Sequence, residues 1–401
     1  MQYYPGNQGY RGIPGAVLNL DELSEQSSED LVKMAENALK RSATALLTVY
    51  LVLLLSTERD DRECLDRVLA VIVRHSQRWK DVTILAEESV IFSLSQIHGN
   101  LPSLNKLRLH YLTNTGRVFS GLEIAPRLRD VTLENLGLPR YLPLPQFTSL
   151  SFVGSDFHDV PPEDLYSVFQ NASGLEEFHW SKSPFPVRYE TEWDTTPDTP
   201  LILSRLRVLD LCISDAGLFN RITLPALKKL EWKTFLQFPH CDGLEHDESY
   251  PALRRLITRS NGLQSLRTVV LNLTTLRPQI YGLLDDIPGV AELHIVNDIN
   301  RASYEGERFI VPLFNALSYG RGSLPILSRL ETFKINAWVK IICETSEAGI
   351  TMVKSGWRAG TDLGSCKLSA VELSCIFLSE KFRKCLMDMR SEGLSVSGRS
   401  I

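Results

Sequence analysis

The chain has 401 residues and a formal net charge of -5. At about 150 residues per domain that allows two or three domains, but one repeat array can be as long because each unit touches only its neighbours. An apolar fraction of 43% with 23% charged residues excludes wholesale disorder, and the mild acidity argues against a broad nucleic-acid or anionic-membrane surface.

The N-terminus, MQYYPGNQGYRGIPG, has no apolar core and does not read as a signal peptide. Residues 1–26 are expected to be a disordered tail and 27–401 an irregular leucine-rich-repeat-like domain. Ser27–Arg41 begins Ser-Ser-Glu-Asp and sets Leu31, Met34, Ala35, Ala38 and Leu39 at helical spacing. Ala43–Leu55, ATALLTVYLVLLL, falls short of the roughly 20 apolar residues a membrane-spanning helix needs and reads as a buried strand. Arg62–His75 presents Leu65, Val68, Leu69 and Ile72 on one helical face. Pro162–Ala172 and Pro251–Ser260 repeat that pattern with Leu165, Val168 and Phe169, and with Leu253, Leu256 and Ile257.

Between these helices a short motif recurs: apolar, two residues, apolar, one residue, apolar. Twelve copies can be traced. They start at Leu46, Trp79, Leu104, Leu128, Phe147, Leu175, Leu206, Leu227, Leu266, Val290, Leu330 and Leu368. The last two apolar positions are two apart, so on a strand they share one face. Each unit offers an apolar edge that it cannot bury alone, and stacking such units in parallel buries a continuous core. LxxLxL at irregular intervals is the core of a leucine-rich repeat. Strands alternating with helices imply an α/β fold: a leucine-rich-repeat-like solenoid, or horseshoe, with a parallel concave sheet and outer helices and loops. Pro102, Pro126 and Pro225 precede three copies, where proline favours an extended lead-in and costs no ladder donor.

The residue between the last two apolar positions should face solvent on the concave side. Apart from Tyr50 and Val270 it is polar in every copy. Thr83, Arg108, Thr132, Ser151, His179, Asp210, Glu231, His294, Lys334 and Glu372 occupy it. A partner-binding surface is expected there, at Arg108, Thr132, Ser151, His179, Asp210, Glu231, His294, Lys334 and Glu372. The mixed signs of charge suit a protein partner better than a polyanion. Trp79, Trp180 and Trp232 fall on core positions. Arg74, Arg78 and Lys80 form a small basic group around Trp79, read as an exposed turn.

Three stretches interrupt the repeat and read as long loops: Ser181–Leu203, Gln237–Ser249 and Cys343–Cys366. No phosphate-binding loop, dinucleotide fingerprint, nucleophile elbow or HExxH is found. His240, Cys241, Asp242 and His246 lack the paired spacing of a zinc site, and His158-Asp159 comes with no nucleophile placed by a motif. No catalytic residue, cofactor or metal is expected. The seven cysteines are scattered without a CxxC, as in a reduced cytoplasmic or nuclear protein.

HSQRWKDVTI (75–84), SQIHGNLPSLNKLRL (95–109), APRLRDVTL (125–133) and LPLPQFTSLSF (142–152), in that order, resemble mushroom-type fungal F-box-like proteins with degenerate leucine-rich repeats. NALKRSATALLTVYL (37–51) resembles the stretch ahead of that family's first repeats. The resemblance implies a protein–protein interaction module, the target-binding part of a substrate receptor in a cullin–RING ubiquitin ligase. The F-box that docks such receptors to the ligase adaptor is not found before Asn37, so the adaptor is expected as a partner only through an upstream F-box. The alternatives are a repeat-only scaffold without ligase coupling, or an enzyme with a site on the loops at 237–249 and 343–366. Neither nucleic acid nor membrane is an expected partner.

Overall fold

The structure is a computed structural model. It describes residues 28–53, 59–86, 97, 101–111, 124–135, 142–154, 162–182, 199–211, 216–232, 249–272, 278–296, 307–318, 326–336, 340–341, 343–358, 367–375 and 377–398. The tail 1–26, His158-Asp159, the His240–His246 cluster, residues 183–198 of the first expected loop and all of the second but Ser249 lie outside these; the ends of the first, Ser181–Lys182 and Leu201–Ile202, are strand rather than loop. The fold is α/β with parallel strands, in two compact units, Met1–Val160 and Pro161–Ile401.

In the first unit α1 (Ser28–Arg41) leads to β1 (Leu47–Leu53) and α2 (Arg59–Val73) to β2 (Trp79–Ala86). β3 (Lys106–Tyr111), β4 (Asp130–Glu134) and β5 (Ser149–Gly154) follow. The five strands form a parallel ladder in sequence order. α1 packs on α2.

The second unit runs α3 (Pro162–Asn171), β6 (Glu177–Lys182), β7 (Leu201–Ile202), β8 (Val208–Leu211), α4 (Ala216–Arg221), β9 (Ile222–Thr223) and β10 (Lys229–Trp232). It continues with α5 (Ser249–Arg259), β11 (Thr268–Asn272), α6 (Pro278–Asp285), β12 (Glu292–Val296), α7 (Glu307–Ala316), β13 (Thr332–Asn336) and β14 (Lys340–Ile341). It ends with α8 (Cys343–Arg358), β15 (Ala370–Ser374), β16 (Phe377–Leu378), α9 (Glu380–Ser391) and β17 (Ser395–Ser397). β6, β8, β10, β11, β12, β13, β15 and β17 are joined in that order, all parallel. β7 with β9 and β14 with β16 make two short parallel ladders beside them. From α4 to α9 each helix packs on the next.

The motif builds this fold as its spacing dictates. Along β2, β4, β8, β10, β12 and β13 the apolar positions are buried and the residues between them are partly exposed. Leu104, Leu128, Phe147, Leu206, Leu227, Leu266 and Val290, the leading residues of their copies, are all fully buried. Each such side chain contributes about 1.5–3 kcal/mol. Trp79, Trp180 and Trp232 are core residues; Trp232 meets Phe219 and Tyr250 edge to face, at 6.2 and 5.1 Å between ring centroids.

A further apolar position precedes the motif. The amides of Leu104, Leu128, Leu175, Leu206, Leu227, Leu266, Val290 and Leu330 each donate to the carbonyl three residues earlier. Those earlier residues are Leu101, Ala125, Ala172, Leu203, Leu224, Leu263, Ile287 and Leu327, all buried. The unit is therefore LxxLxxLxL, and its first half is a hydrogen-bonded turn. Pro102, Pro126 and Pro225, expected in an extended lead-in, sit at the second position of this turn, where proline's fixed φ is an advantage.

Three expectations change. The stretch Cys343–Cys366 is helical as far as Arg358, and residues 359–366 lie outside the description. Its glycines hid a buried face of Ser346, Ala348, Gly349, Ile350, Met352, Val353 and Gly356, in which Gly349 sits directly under the Phe382 ring of α9. The strand expected over Ala43–Leu55 covers Leu47–Leu53, because Ser42–Ala45 continue in turns from the end of α1. In that copy the frame also slips by one. Leu47, not Leu46, pairs with Trp79, and Lys80 is bulged out before Thr48 meets Asp81. Leu46 is left 46% exposed and Leu47 takes the core place at 1%.

Arg78, in the basic group expected to be an exposed turn, has a structural task. Its guanidinium donates to the carbonyls of Leu39 and Ala45 and to the Ser42 hydroxyl, at 3.4, 2.9 and 2.6 Å. It thereby adds a second donor to the Leu39 carbonyl, which also accepts from Ser42 Oγ at 2.7 Å, and ties the end of α1 to the turn that follows. Arg259 does the same for α4, donating to the carbonyls of Phe219 and Ile222.

Candidate partner-binding face

Strand geometry sends the residues between the buried positions to the opposite, outward face. The registers line them up. In the first unit Tyr50, Thr83, Arg108, Thr132 and Ser151 are successive partners across β1–β5. In the second unit His179, Asp210, Glu231, Val270, His294, Lys334 and Glu372 are successive partners across β6–β15, ending at Ser397 of β17. All nine expected site residues thus belong to one of two ordered rows: Arg108, Thr132 and Ser151 to the first, and His179, Asp210, Glu231, His294, Lys334 and Glu372 to the second. Val270, the apolar member, is buried at 4% exposure.

The rows sit among charged side chains two positions away on the same strands, which alternation also turns outward. In the first unit Lys106 pairs with Asp130 at 3.2 Å and His110 with Glu134 at 2.5 Å. In the second unit His179 lies between two carboxylates: Nδ1 is 3.5 Å from Asp210 Oδ2 and Nε2 is 3.9 Å from Glu177 Oε2. Lys229 reaches Glu231 at 3.0 Å and Lys334 reaches Glu372 at 3.6 Å. His294 Nε2 is 3.5 Å from Glu292, whose carboxylate also accepts from Thr268 Oγ1 at 3.4 Å. These flanking residues, Lys106, Asp130, Glu177, Lys229 and Glu292 among them, were not expected as site members. The signal was in the sequence, two residues before each row position.

The two histidines of the second row respond oppositely to their surroundings. The hydrogen bond to Asp210 raises the His179 pKa above its ordinary 6.5, against the opposing effect of burial. Burial first, and then the Lys334 ammonium, lower that of His294.

Chemically these faces offer charge pairs and hydroxyls on rigid strands. Cys375 and Cys385 are buried and not joined in a disulfide, and burial pushes the Cys375 thiol up to about 12. Among the described residues no group of three or more His, Cys, Asp or Glu could hold a metal ion, and no helix is long and apolar enough to cross a membrane. Neither the family models nor the curated proteins contain a match to this chain.

Proposed function

We propose that the chain is a protein–protein interaction module, a leucine-rich-repeat-like solenoid whose outward strand rows form the concave docking surface. In its fuller form it is the target-binding part of an F-box-like substrate receptor of a cullin–RING ubiquitin ligase. Its mechanism is positioning rather than chemistry. The observation that carries this reading is the alignment of row residues, polar apart from Tyr50 and the buried Val270, into register across parallel strands. Mixed charge on rigid strands gives a partner complementary pairs with little ordering cost. The ligase half of the reading draws only on the resemblance of the motifs between Asn37 and Phe152.

The test is site-specific photocrosslinking of the full chain in a lysate of a mushroom-forming fungus. A crosslinker at Ser151 or Lys334 is expected to capture discrete proteins, and one at Lys384 on α9 is not. Capture lost on substituting neighbouring row residues supports docking. Mass-spectrometric identification of a cullin–RING adaptor supports the receptor form; targets without any adaptor reduce the proposal to a scaffold, and capture indifferent to the row overturns it.

A further inference from the structure

We draw no further inference here: the strongest candidate, the basic surface patch of Arg207, Lys228 and Arg267 at adjoining strand entrances of the second unit, has Arg207 already paired with Glu176 at 3.3 Å and Arg267 bonded to the Gly289 carbonyl, and nothing in the structure shows what covers it.

Discussion

The outward row of the first unit and that of the second are built on the same buried frame and carry different chemistry. Across β2–β5 the row reads Thr83, Arg108, Thr132, Ser151, with one charge among hydroxyls. Across β6–β15 it reads His179, Asp210, Glu231, Val270, His294, Lys334, Glu372. Underneath, the leading apolar residues are equally buried in both, Leu104 and Leu128 as fully as Leu206 and Leu227. The core positions are interchangeable because each must fill the same space between stacked strands. Apart from the buried Val270 the row positions are free of that demand, so they are where two stretches of one fold can differ.

The largest expected effect tests the shared frame. Trp232→Ala in the second unit and Phe147→Ala in the first each remove a fully buried aromatic and should cost about 3–5 kcal/mol, measured by chemical denaturation. If either cost less than 1 kcal/mol, the two cores would not be equivalent.

A smaller loss is expected where the second unit ends. Gly398 has φ 141°, and a Cβ there would stand 1.8 Å from the Leu373 carbonyl oxygen. Gly398→Ala should loosen β17 from β15 at a cost of about 1–3 kcal/mol, with faster amide exchange confined to those strands. Unchanged exchange would contradict the close approach. The matching change at the start of the first unit is Arg78→Ala, which removes three hydrogen bonds at the end of α1 and the turn after it and should cost about 1–2 kcal/mol in the same denaturation assay.

Titration separates the rows next. His179, held by Asp210, should titrate above 6.5 in an NMR series, and Asp210→Asn should bring it down. Because its folded value is raised, its stabilising contribution is complete below about 6.5 and disappears as pH rises through the folded value. His294 has a lowered folded value, so it has no cost above about 6.5 and destabilises the fold as pH falls from there toward its folded value. Two histidines on one row therefore push in opposite directions on either side of 6.5. Finding both shifted the same way would contradict the charge arrangement described.

The smallest effect sharpens the contrast of core and row. Arg108→Ala and Glu372→Gln should each change stability by no more than about 0.5 kcal/mol. A larger change would mean that the rows help hold the fold and are less free to serve a partner.

The legible and illegible parts of the chain divide along physical lines. The strand copies could be placed because their burial repeats at a spacing of two, and the helix at 59–73 because Val68, Leu69 and Ile72 lie within one turn of each other. The turn half of the unit is weakly marked, since its first position is filled by the small Ala125 and Ala172 in two copies and by Ser76, whose carbonyl accepts from the Trp79 amide, in another. The helix at 343–358 read as a loop because Ser346, Ala348, Gly349 and Gly356, which carry little hydrophobic signal, share its buried side with Ile350, Met352 and Val353, and Gly349 lies close against Phe314 and Phe382.

By itself the sequence determined that parallel strands with one leucine face would recur, and which residue of each copy would turn outward, because side-chain alternation is a local property of the backbone. Only the tertiary structure decided that Leu47 replaces Leu46 in the first copy, that Arg78 closes a helix, and that Asp210 stands opposite Glu231 beside His179. Those facts depend on register between segments 20 or more residues apart, and register is fixed by packing across strands, which no single stretch of chain contains.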